Sequence, residues 1–462
     1  MATVSMSVED IKKNSIDKGL KVAILVCVSG DNNNKYYNMY EQDGGTFMVI
    51  RGRVDVTSIV EGPYPMNKWD ATYKDKTRDN KKPKPYADQT HLFSEQKPST
   101  STGKKKDKGN NFHSKRSAMV IDFVQNLQRY ANKSVEENYT VSAANVTKKQ
   151  VDMAQQTLNL ISSMIKMGEP TGPINEKLLE LYQIIPRRMK RVQDNLLLED
   201  KDSKAYIGNT IKSVDDFKNA NDKIAKEQDT LDVMAGQVAI EEQEKKDSID
   251  TAEEKKEYDL LHAMNLDMEE CTPAEVAMIK KMLDQNARAS HEKNSGIFKR
   301  AFRVKNNSTE DKYDKFLDKA KDKKKELLWH GSRNENWWSI FQQGLVLRPT
   351  NAVITGKMFG YGIYFADKAQ KSINYSSYSG ASRSYTAGRS NTAVLALFEM
   401  HQGKQFEIKR HDHSHSQLTE DKMKKLGFDS VYAQGGYDLV NNEYICYNDS
   451  QCTIKYLVEV GS

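Results

Sequence analysis

Three short segments in the last third of the chain combine a histidine, a tyrosine and a glutamate with glycines and aromatic residues. His330 lies in LLWHGSR, Tyr364 in GYGIYFAD and Glu443 in NNEYICY. A tyrosine ring can stack on a flat ligand, and a glutamate can act as a general base. Each residue alone also has a structural interpretation, because a single histidine is usually a hydrogen-bonded core or surface residue and a strand tyrosine usually packs. The combination of the three segments, and no single residue, indicates a functional site.

These segments belong to a region that predicts an α+β domain dominated by antiparallel strands. From Leu327 short β-type runs alternate with Gly-rich turns, and apolar residues alternate cleanly in the last run, TIKYLVEV. No GxGxxG segment opens a helix after a strand, and Gly356, Gly360 and Gly362 do not have that spacing. A parallel dinucleotide-binding fold is therefore not expected.

Two regions with other patterns precede this domain. Short β-type runs from Tyr36 to Val60, divided by the turn signal Asp43-Gly44-Gly45, predict a small and mainly β module. From Ser117 to about Asp250 apolar residues recur at helical spacing, and TKKQ has the pattern of a capping box. This second region predicts an all-α bundle. Further along, TPAE supplies a cap, an N1 proline and an N3 acid for another helix start.

The segment between these two regions, residues 94–116, has the composition of a flexible linker. It is rich in Ser, Thr, Gly and Lys and almost free of apolar residues. Its basic residues could contact polyanions or form a nuclear address, and they could equally be a solvated linker. They are Lys104, Lys105, Lys106, Lys108, Lys115 and Arg116.

Length and composition limit the classes of protein that the chain can represent. A chain of 462 residues with net charge +6 predicts two to four domains, and 37% hydrophobic residues with 22 tyrosines exclude a largely disordered chain. The longest apolar run, Val22–Val28, is far below the roughly 20 residues of a membrane span, and the first residues lack a signal-peptide pattern. We expect a soluble, intracellular protein with no membrane partner. Four scattered cysteines without CxxC spacing indicate neither a disulfide framework nor a zinc site.

The three C-terminal segments resemble, in order and spacing, the NAD-binding pocket of the poly(ADP-ribose) polymerases. That family carries a His, a Tyr and a Glu on three separate strands, matched here by His330, Tyr364 and Glu443. The resemblance implies a catalytic domain over residues 255–462, with an antiparallel split sheet. It also implies that NAD+ is the substrate and that no metal is needed.

The resemblance also implies which residues bind each part of NAD+. Tyr364 and Tyr375 would sandwich the flat nicotinamide ring, while the Gly331 backbone and the Ser372 hydroxyl would bond its carboxamide. The residues implied on the adenosine side are His330, which would bond the ribose, with Ser332, Asn336 and Arg348.

Glu443 is the implied catalytic carboxylate, with His330 and Tyr364 as the other two catalytic residues. It would stabilise the positive charge that builds on the nicotinamide ribose and polarise the acceptor as a general base. Family members that keep this Glu tend to extend chains, so polymer formation is expected. Lys357, Tyr361 and Asn441 depart from the family pattern and could alter acceptor binding or chain length. The run at 411–415, HDHSH, is interpreted as a solvated loop.

The two N-terminal regions resemble parts of the DNA-dependent branch of the same family. Residues 117–250 resemble its helical autoinhibitory domain, which implies a plug over the NAD site. Residues 1–93 resemble its WGR domain, a DNA-sensing module. Arg51 stands where the Trp is expected, followed by Gly52 and Arg53, and these three are the implied DNA-binding residues. An arginine offers phosphate contact and partial stacking in place of the indole.

The sequence therefore predicts an enzyme of multidomain α+β class: a mainly β WGR-like module, a basic linker, an all-α regulatory bundle and an α+β catalytic domain. We expect a DNA-break-activated NAD+ ADP-ribosyltransferase that modifies itself and other proteins in the DNA damage response. DNA strand breaks, acceptor proteins and a possible accessory factor are the expected partners, and a nuclear location is expected if the host is eukaryotic. The alternatives are a mono-ADP-ribosyltransferase, a catalytically weak scaffold that binds DNA ends, and an enzyme activated by RNA, by a protein or by nothing.

Overall fold

The computed structural model describes residues 6–54, 56–80, 85–93, 116–197, 207–250, 259–285, 294–348, 358–381 and 390–462. Lys357 and the predicted linker, apart from Arg116, lie outside these residues. The chain divides into two compact units. The first contains Met1–Asp107 and Val135–Met234, and the second contains Lys108–Ser134 and Ala235–Ser462.

The first unit is built on one six-stranded antiparallel sheet with the order β5-β4-β3-β2-β6, in which β1 also pairs with β3. Its strands are β1 (Val22–Ala23), β2 (Leu25–Ser29), β3 (Asn33–Gln42), β4 (Thr46–Arg53), β5 (Ile59–Pro65) and β6 (Ala87–Asp88). Its helices are α1 (Val8–Asp17), α2 (Trp69–Thr77), α3 (Thr90–Phe93), α5 (Lys148–Lys166) and α6 (Thr171–Ile184). The helices α4 (Ala118–Asn138) and α7 (Val214–Asp250) contribute residues to both units.

The predicted turn between β3 and β4 is confirmed. Gln42 pairs with Thr46 across it, and Gly44 and Gly45 both have positive φ angles, 80° and 71°, which favour glycine. Behind the hairpin the Phe47 ring packs edge-on against Trp69, with centroids 5.2 Å apart. The small sheet therefore has an aromatic core of its own.

Hydrogen bonds connect the β2–β3 turn to the helical part of the same unit. The Asn34 amide donates to the Arg187 carbonyl at 3.1 Å, and the Val192 amide donates to Asn32 Oδ1 at 3.0 Å. Gln183 also donates to the Val28 carbonyl at 3.3 Å. The segment after α6 is thus held by side chains of the sheet.

The helical part of this unit contains a buried ion pair. Arg187 Nη1 lies 2.9 Å from Glu227 Oε2, and the two side chains are only 8% and 2% exposed. The rings of Tyr139 and Tyr182 lie 4.9 Å and 5.9 Å from the guanidinium carbon. The predicted capping box of α5 is present, since Thr147 and Gln150 bond each other's backbone amides.

The second unit contains two sheets. A five-stranded antiparallel sheet has the order β7-β8-β15-β11-β9, and a four-stranded sheet has the order β10-β14-β13-β12. The strands are β7 (Leu266–Glu270), β8 (Phe298–Asn306), β9 (Lys325–Gly331), β10 (Ile363–Phe365), β11 (Thr392–His401), β12 (Gln405–Ile408), β13 (Ser430–Ala433), β14 (Glu443–Cys446) and β15 (Cys452–Gly461). The helices are α8 (Leu260–Ala263), α9 (Pro273–Asp284), α10 (Asn307–Lys319), α11 (Trp337–Gln343), α12 (Ala369–Asn374) and α13 (Glu420–Leu426).

The expected mixed α+β class with antiparallel sheets is confirmed for this unit, with one parallel pair. β12 and β13 run in the same direction because α13 connects them, and such a crossover returns the chain to the same end of the sheet. The helix start predicted at TPAE is also present, with Thr272 as N-cap and Glu275 bonded back to it.

The first four turns of α4 pack on the large sheet of this unit. The Phe123 ring stacks on Phe302 with centroids 4.4 Å apart, and Arg300 bonds both Asp122 and Glu459. The predicted helical domain at 117–250 is thus divided between the two units, and its boundaries stay a prediction. None of the helices in the described part of the chain is long and apolar enough to cross a membrane.

We predict that Glu227→Ala destabilises the first unit by about 3–5 kcal/mol, because it leaves the Arg187 charge buried without a partner. Urea unfolding followed by circular dichroism measures the change. Asp152→Ala is the matched control, since it removes an exposed pair with Lys148 on α5 and should cost less than about 0.5 kcal/mol. Equal unfolding midpoints for the two variants would contradict the prediction.

Candidate active site

The three predicted catalytic residues lie on strands that meet at the junction of the two sheets of the second unit. His330 is on β9, Tyr364 on β10 and Glu443 at the start of β14. β10 and β14 pair directly. Between the sheets Trp329 and Ala366 exchange two backbone hydrogen bonds, of 2.8 Å and 3.0 Å. The structure therefore brings together strands from three distant parts of the sequence.

A backbone hydrogen bond fixes the orientation of the His330 ring. Its Nδ1 lies 3.0 Å from the Tyr364 carbonyl oxygen, and a carbonyl can only accept, so Nδ1 carries the proton. The rings of Trp337, Phe365 and Phe398 surround the imidazole at centroid distances of 6.3, 5.7 and 5.9 Å. This arrangement turns Nε2 away from the carbonyl of β10.

Gly331 is required by a close backbone approach. A Cβ at this position would overlap the carbonyl oxygen of Ser372 in α12. The Ser372 side chain is buried, whereas Tyr375, at the end of the same helix, is 43% exposed. The two residues implied to bind the nicotinamide carboxamide are thus in direct proximity.

The Tyr364 side chain is anchored to the loop that precedes its own strand. Its hydroxyl donates to the Gly360 carbonyl at 2.9 Å and accepts from the Phe359 amide at 3.2 Å. Burial, with a smaller contribution from Tyr375, raises the pKa of Tyr364 above its ordinary value, so the phenol stays neutral. Gly360 has a φ of 77° and abuts the Leu418 backbone, which fixes this loop.

Glu443 forms an ion pair with a lysine that the sequence prediction does not include. Lys371 Nζ bonds Glu443 Oε1, and the glutamate is only 8% exposed. Burial lowers the pKa of Lys371 to about 8, although the nearby Asp367 carboxylate acts in the opposite direction. Lys371 lies in the QKSINY segment, next to the predicted nicotinamide-binding residues Ser372 and Tyr375, and this position is the signal in the sequence that could have identified it.

Asn442, the neighbour of the glutamate, joins β14 to the end of β10. Its Nδ2 donates to Asp367 Oδ2 at 2.7 Å, and its Oδ1 accepts from the Gly435 amide at 2.8 Å. Burial raises the pKa of the Tyr432 and Tyr444 phenols, and the nearby Asp367 carboxylate raises it further. The backbone on both sides of Glu443 is therefore held.

The residues implied on the adenosine side lie after β9. Asn336 Nδ2 donates to Ser332 Oγ at 3.1 Å, and Asn336 Oδ1 is buried without a hydrogen-bond partner among the described residues. Arg348 Nη2 donates to Gln343 Oε1 at 3.3 Å. Ser332 and Asn336 are thus in contact, while Arg348 is tied to α11.

Tyr361, one of the departures from the family pattern, lies close to Arg348. Burial raises the pKa of Tyr361 to about 12, Asp449 also raises it, and Arg348 opposes both. Asp449 in turn accepts from the Leu347 amide at 2.8 Å. A neutral phenol therefore stands where the family pattern usually has a cationic lysine.

The HDHSH run is only in part the solvated loop that the sequence predicts. Asp412 and His413 are exposed, but the rings of His411 and His415 pack against Phe359 at centroid distances of 5.9 Å and 6.5 Å. The two imidazoles thus pack on an aromatic residue whose backbone amide donates to the Tyr364 hydroxyl. Over the described residues, no group of three or more His, Cys, Asp or Glu side chains has a metal-binding arrangement.

The three implied DNA-binding residues lie in the first unit, on β4. Arg51 bonds Glu61 on the neighbouring strand through Nε at 2.8 Å and Nη2 at 2.5 Å, and its side chain is 41% exposed. Arg53 donates to the Asn32 carbonyl at 2.8 Å. The charge of Arg51 is thus partly neutralised within the sheet, which the sequence did not indicate.

Comparison with known proteins identifies the domain that carries this site. Residues 273–462 match the profile of the poly(ADP-ribose) polymerase catalytic domain. The class that this domain defines is the NAD+ ADP-ribosyltransferases. The match covers the strands that carry His330, Tyr364 and Glu443.

Individual relatives extend the comparison. A putative poly [ADP-ribose] polymerase-like protein, 100L, of invertebrate iridescent virus 6 is 32% identical over 154 residues, 33% of this chain and 79% of the viral protein. Poly [ADP-ribose] polymerase 2 of Zea mays is 32% identical over 210 residues, 40% of this chain and 30% of that protein. Poly [ADP-ribose] polymerase 1 of Gallus gallus is 26% identical over 340 residues, 68% of this chain and 30% of that protein. The chain belongs to the poly(ADP-ribose) polymerase family, and it spans 30% of the length of the plant and avian relatives.

We predict that Gly331→Ala lowers the stability of the second unit by about 1–3 kcal/mol, because the added methyl group forces the strand away from the Ser372 carbonyl. The thermal unfolding midpoint should fall, and binding of a nicotinamide analogue, followed by calorimetry, should weaken. Gly296→Ala is the matched control, because a Cβ there meets nothing within 4 Å. A Gly331→Ala protein that binds the analogue as the wild type does would refute the prediction.

Proposed function

We propose that this protein cleaves NAD+ between nicotinamide and ribose and transfers the ADP-ribosyl group to acceptor groups on itself and on other proteins. The observation that carries the proposal is the buried Glu443, beside Lys371, on a strand that pairs directly with the strand of Tyr364. In the reaction the C1′–N bond breaks and its electron pair leaves with nicotinamide. A bond from C1′ to the acceptor atom forms, and the acceptor's proton is released.

The nicotinamide end of NAD+ binds beside Gly331, Ser372 and Tyr364 in this proposal. Because Gly331 has no side chain, the Ser372 backbone can approach it directly, which places these two residues side by side for the carboxamide. The fixed, neutral Tyr364 phenol supplies one aromatic face, and the exposed Tyr375 supplies the other. Binding of the ring would bury the exposed part of Tyr375.

His330 and its neighbours bind the adenosine end in this proposal. Because Nδ1 is held by the Tyr364 carbonyl, Nε2 is the ring atom that can bond a ribose hydroxyl. The buried Oδ1 of Asn336 is an acceptor suited to a second hydroxyl, near Ser332. Arg348 and the neutral Tyr361 also bind the adenosine end in this proposal. The Tyr361 phenol offers a stacking face at a position where the family usually has a lysine.

Glu443 supplies the chemistry. A carboxylate beside the nicotinamide ribose stabilises the positive charge that develops as the C1′–N bond breaks, and it can accept the acceptor's proton as a general base. The ammonium of Lys371 favours the ionised form of this buried carboxylate. Retention of the glutamate supports chain extension, whereas Asn441 and Lys357 support the alternative of a single-unit transferase.

Broken DNA is the activator in this proposal, and a nuclear location in a eukaryotic host follows from it. The WGR-like interpretation of the N-terminal sheet is supported by Arg51 and Arg53 on β4 and by the hydrogen bonds that tie Asn32 and Asn34 to the segment after α6. A ligand that moves the β2–β3 turn would loosen this helical segment. The regulatory role that the resemblance implies for the helical region would depend on such local loosening.

We predict that Glu443→Gln lowers automodification with labelled NAD+ by at least about 100-fold, because the amide cannot stabilise the cationic ribose. His330→Ala should lower it by about tenfold or more through lost ribose binding. The matched controls are Glu407→Gln on β12 and His413→Ala, both at exposed positions. Gel analysis measures the label and also reports chain length, since a smear means polymer and a sharp band means single units.

Full labelling by both Glu443→Gln and His330→Ala would exclude the proposed activity. Complete absence of label in the wild type, with DNA bound, would favour the scaffold alternative.

We predict that Arg51→Ala weakens binding to nicked or blunt DNA duplexes and lowers the slope of log Kd against log salt concentration by about 1, as expected for one lost phosphate contact. Glu61→Gln should strengthen binding, since it releases the Arg51 guanidinium. Fluorescence anisotropy measures both. Lys148→Ala, an exposed cation on α5, serves as the control, and Kd values unchanged by all three variants would remove Arg51 from the interface.

A further inference from the structure

Asp367, at the end of β10, has one carboxylate oxygen with a partner and one without. Oδ2 accepts from Asn442 at 2.7 Å, whereas Oδ1 is buried and has no hydrogen-bond partner among the described residues. A buried carboxylate oxygen normally has a donor, since leaving it unpaired is costly. Asp367 Oδ1 is thus a buried hydrogen-bond acceptor that lacks a donor.

The Lys371 ammonium is a hydrogen-bond donor that interacts electrostatically with the Asp367 carboxylate. Lys371 follows Asp367 by four residues in the sequence, and the Asp367 carboxylate favours the charged form of its ammonium. The Lys371 Nζ is bonded to Glu443. The buried Glu443 carboxylate therefore holds the ammonium, and the half-buried Asp367 carboxylate lies near it with its Oδ1 unpartnered.

Two phenols and one amide near this cluster are neutral, and two further carboxylates, those of Glu326 and Glu407, lie near the phenols. Tyr432 on β13 and Tyr444 on β14 lie beside Asp367, and the pKa of each phenol is raised above its ordinary value, so neither competes as an anion near neutral pH. Asn442 also carries no charge, and its orientation is fixed because its amide group donates to Asp367 while its oxygen accepts from Gly435. Glu443, which bonds the Lys371 ammonium, and Asp367, which favours its charged form, are thus the two carboxylates that act directly on it.

We infer that Asp367 is a second acceptor for the Lys371 ammonium, which moves to Asp367 Oδ1 when a substrate hydroxyl bonds Glu443. The inference rests on the proposed function, because it requires that Glu443 meets a substrate. Without Asp367 as a second hydrogen-bond acceptor, the ammonium stays on Glu443. There it competes with the nicotinamide ribose or with the group that receives ADP-ribose. Asp367 and Asn442 are then positioning residues: they act through Lys371 and do not touch the substrate.

The test is Asp367→Asn in the full chain, assayed for nicotinamide release from NAD+ with nicked DNA present. At pH 6.5, where Lys371 is charged, kcat should fall by about tenfold while KM for NAD+ changes less than about twofold. At pH 9.5 a larger share of Lys371 is neutral in both proteins, because burial lowers its pKa and loss of Asp367 lowers it further. The deficit should therefore be smaller at pH 9.5 than at pH 6.5, by about twofold or more.

The control variants separate this role from a structural one. Asp311→Asn, at an exposed position of α10, should leave kcat unchanged at both pH values. In a Lys371→Met background, which lowers activity by itself, adding Asp367→Asn should have less than about a twofold further effect. If Asp367→Asn does not fold, as judged by its unfolding midpoint, Asn442→Ala replaces it and should show a deficit with the same pH dependence.

The outcomes distinguish the inference from the proposed function. A wild-type protein that releases no nicotinamide overturns the proposed function, and the inference with it. An active wild type with an Asp367→Asn deficit of equal size at both pH values, or with no deficit, overturns the inference alone. Additive losses in the Lys371→Met background also overturn it.

Discussion

Two backbone hydrogen bonds between Trp329 and Ala366 join the sheets of the second unit, and every group of the site is placed relative to them. On one side the chain continues from Trp329 into His330 and Gly331. On the other side β10 leads from Tyr364 to Ala366 and then to Asp367. Because backbone bonds do not depend on side-chain identity, the junction can keep its geometry while the neighbouring side chains differ among relatives.

The charges of the site lie in buried and half-buried positions near this junction, where one ammonium faces two carboxylates. Glu443, Asp367 and Lys371 form a cluster that is connected to the backbone through Asn442. A charge in such surroundings is strongly affected by its neighbours, since there is little water to screen it. The same principle acts in the first unit, where Arg187 and Glu227 are buried together between two tyrosine rings. Each unit thus has an ion pair whose loss would destabilise the core of that unit.

The sequence was informative about local structure, and the three predicted catalytic residues lie on strands. Asp43-Gly44-Gly45 predicted a hairpin and TPAE predicted a helix start, because turns and caps depend on a few adjacent residues. The pairings of Lys371 with Glu443 and of Arg51 with Glu61 were not predicted, because they depend on strand register and on contacts between distant segments. The parallel pairing of β12 with β13 and the packing of His411 and His415 on Phe359 were not predicted either, for the same reason.

The strand that carries Glu443 has a neighbour on each side, β10 on one and β13 on the other. The segment before it is different: Tyr437 and Val440 are 49% and 68% exposed, at the end of a loop closed by a hydrogen bond from Gly436 to Leu439. Insertions or exchanges in this loop can therefore change what approaches the glutamate without moving it. An enzyme built in this way can acquire new acceptors over evolution, or by engineering, while its NAD chemistry stays the same.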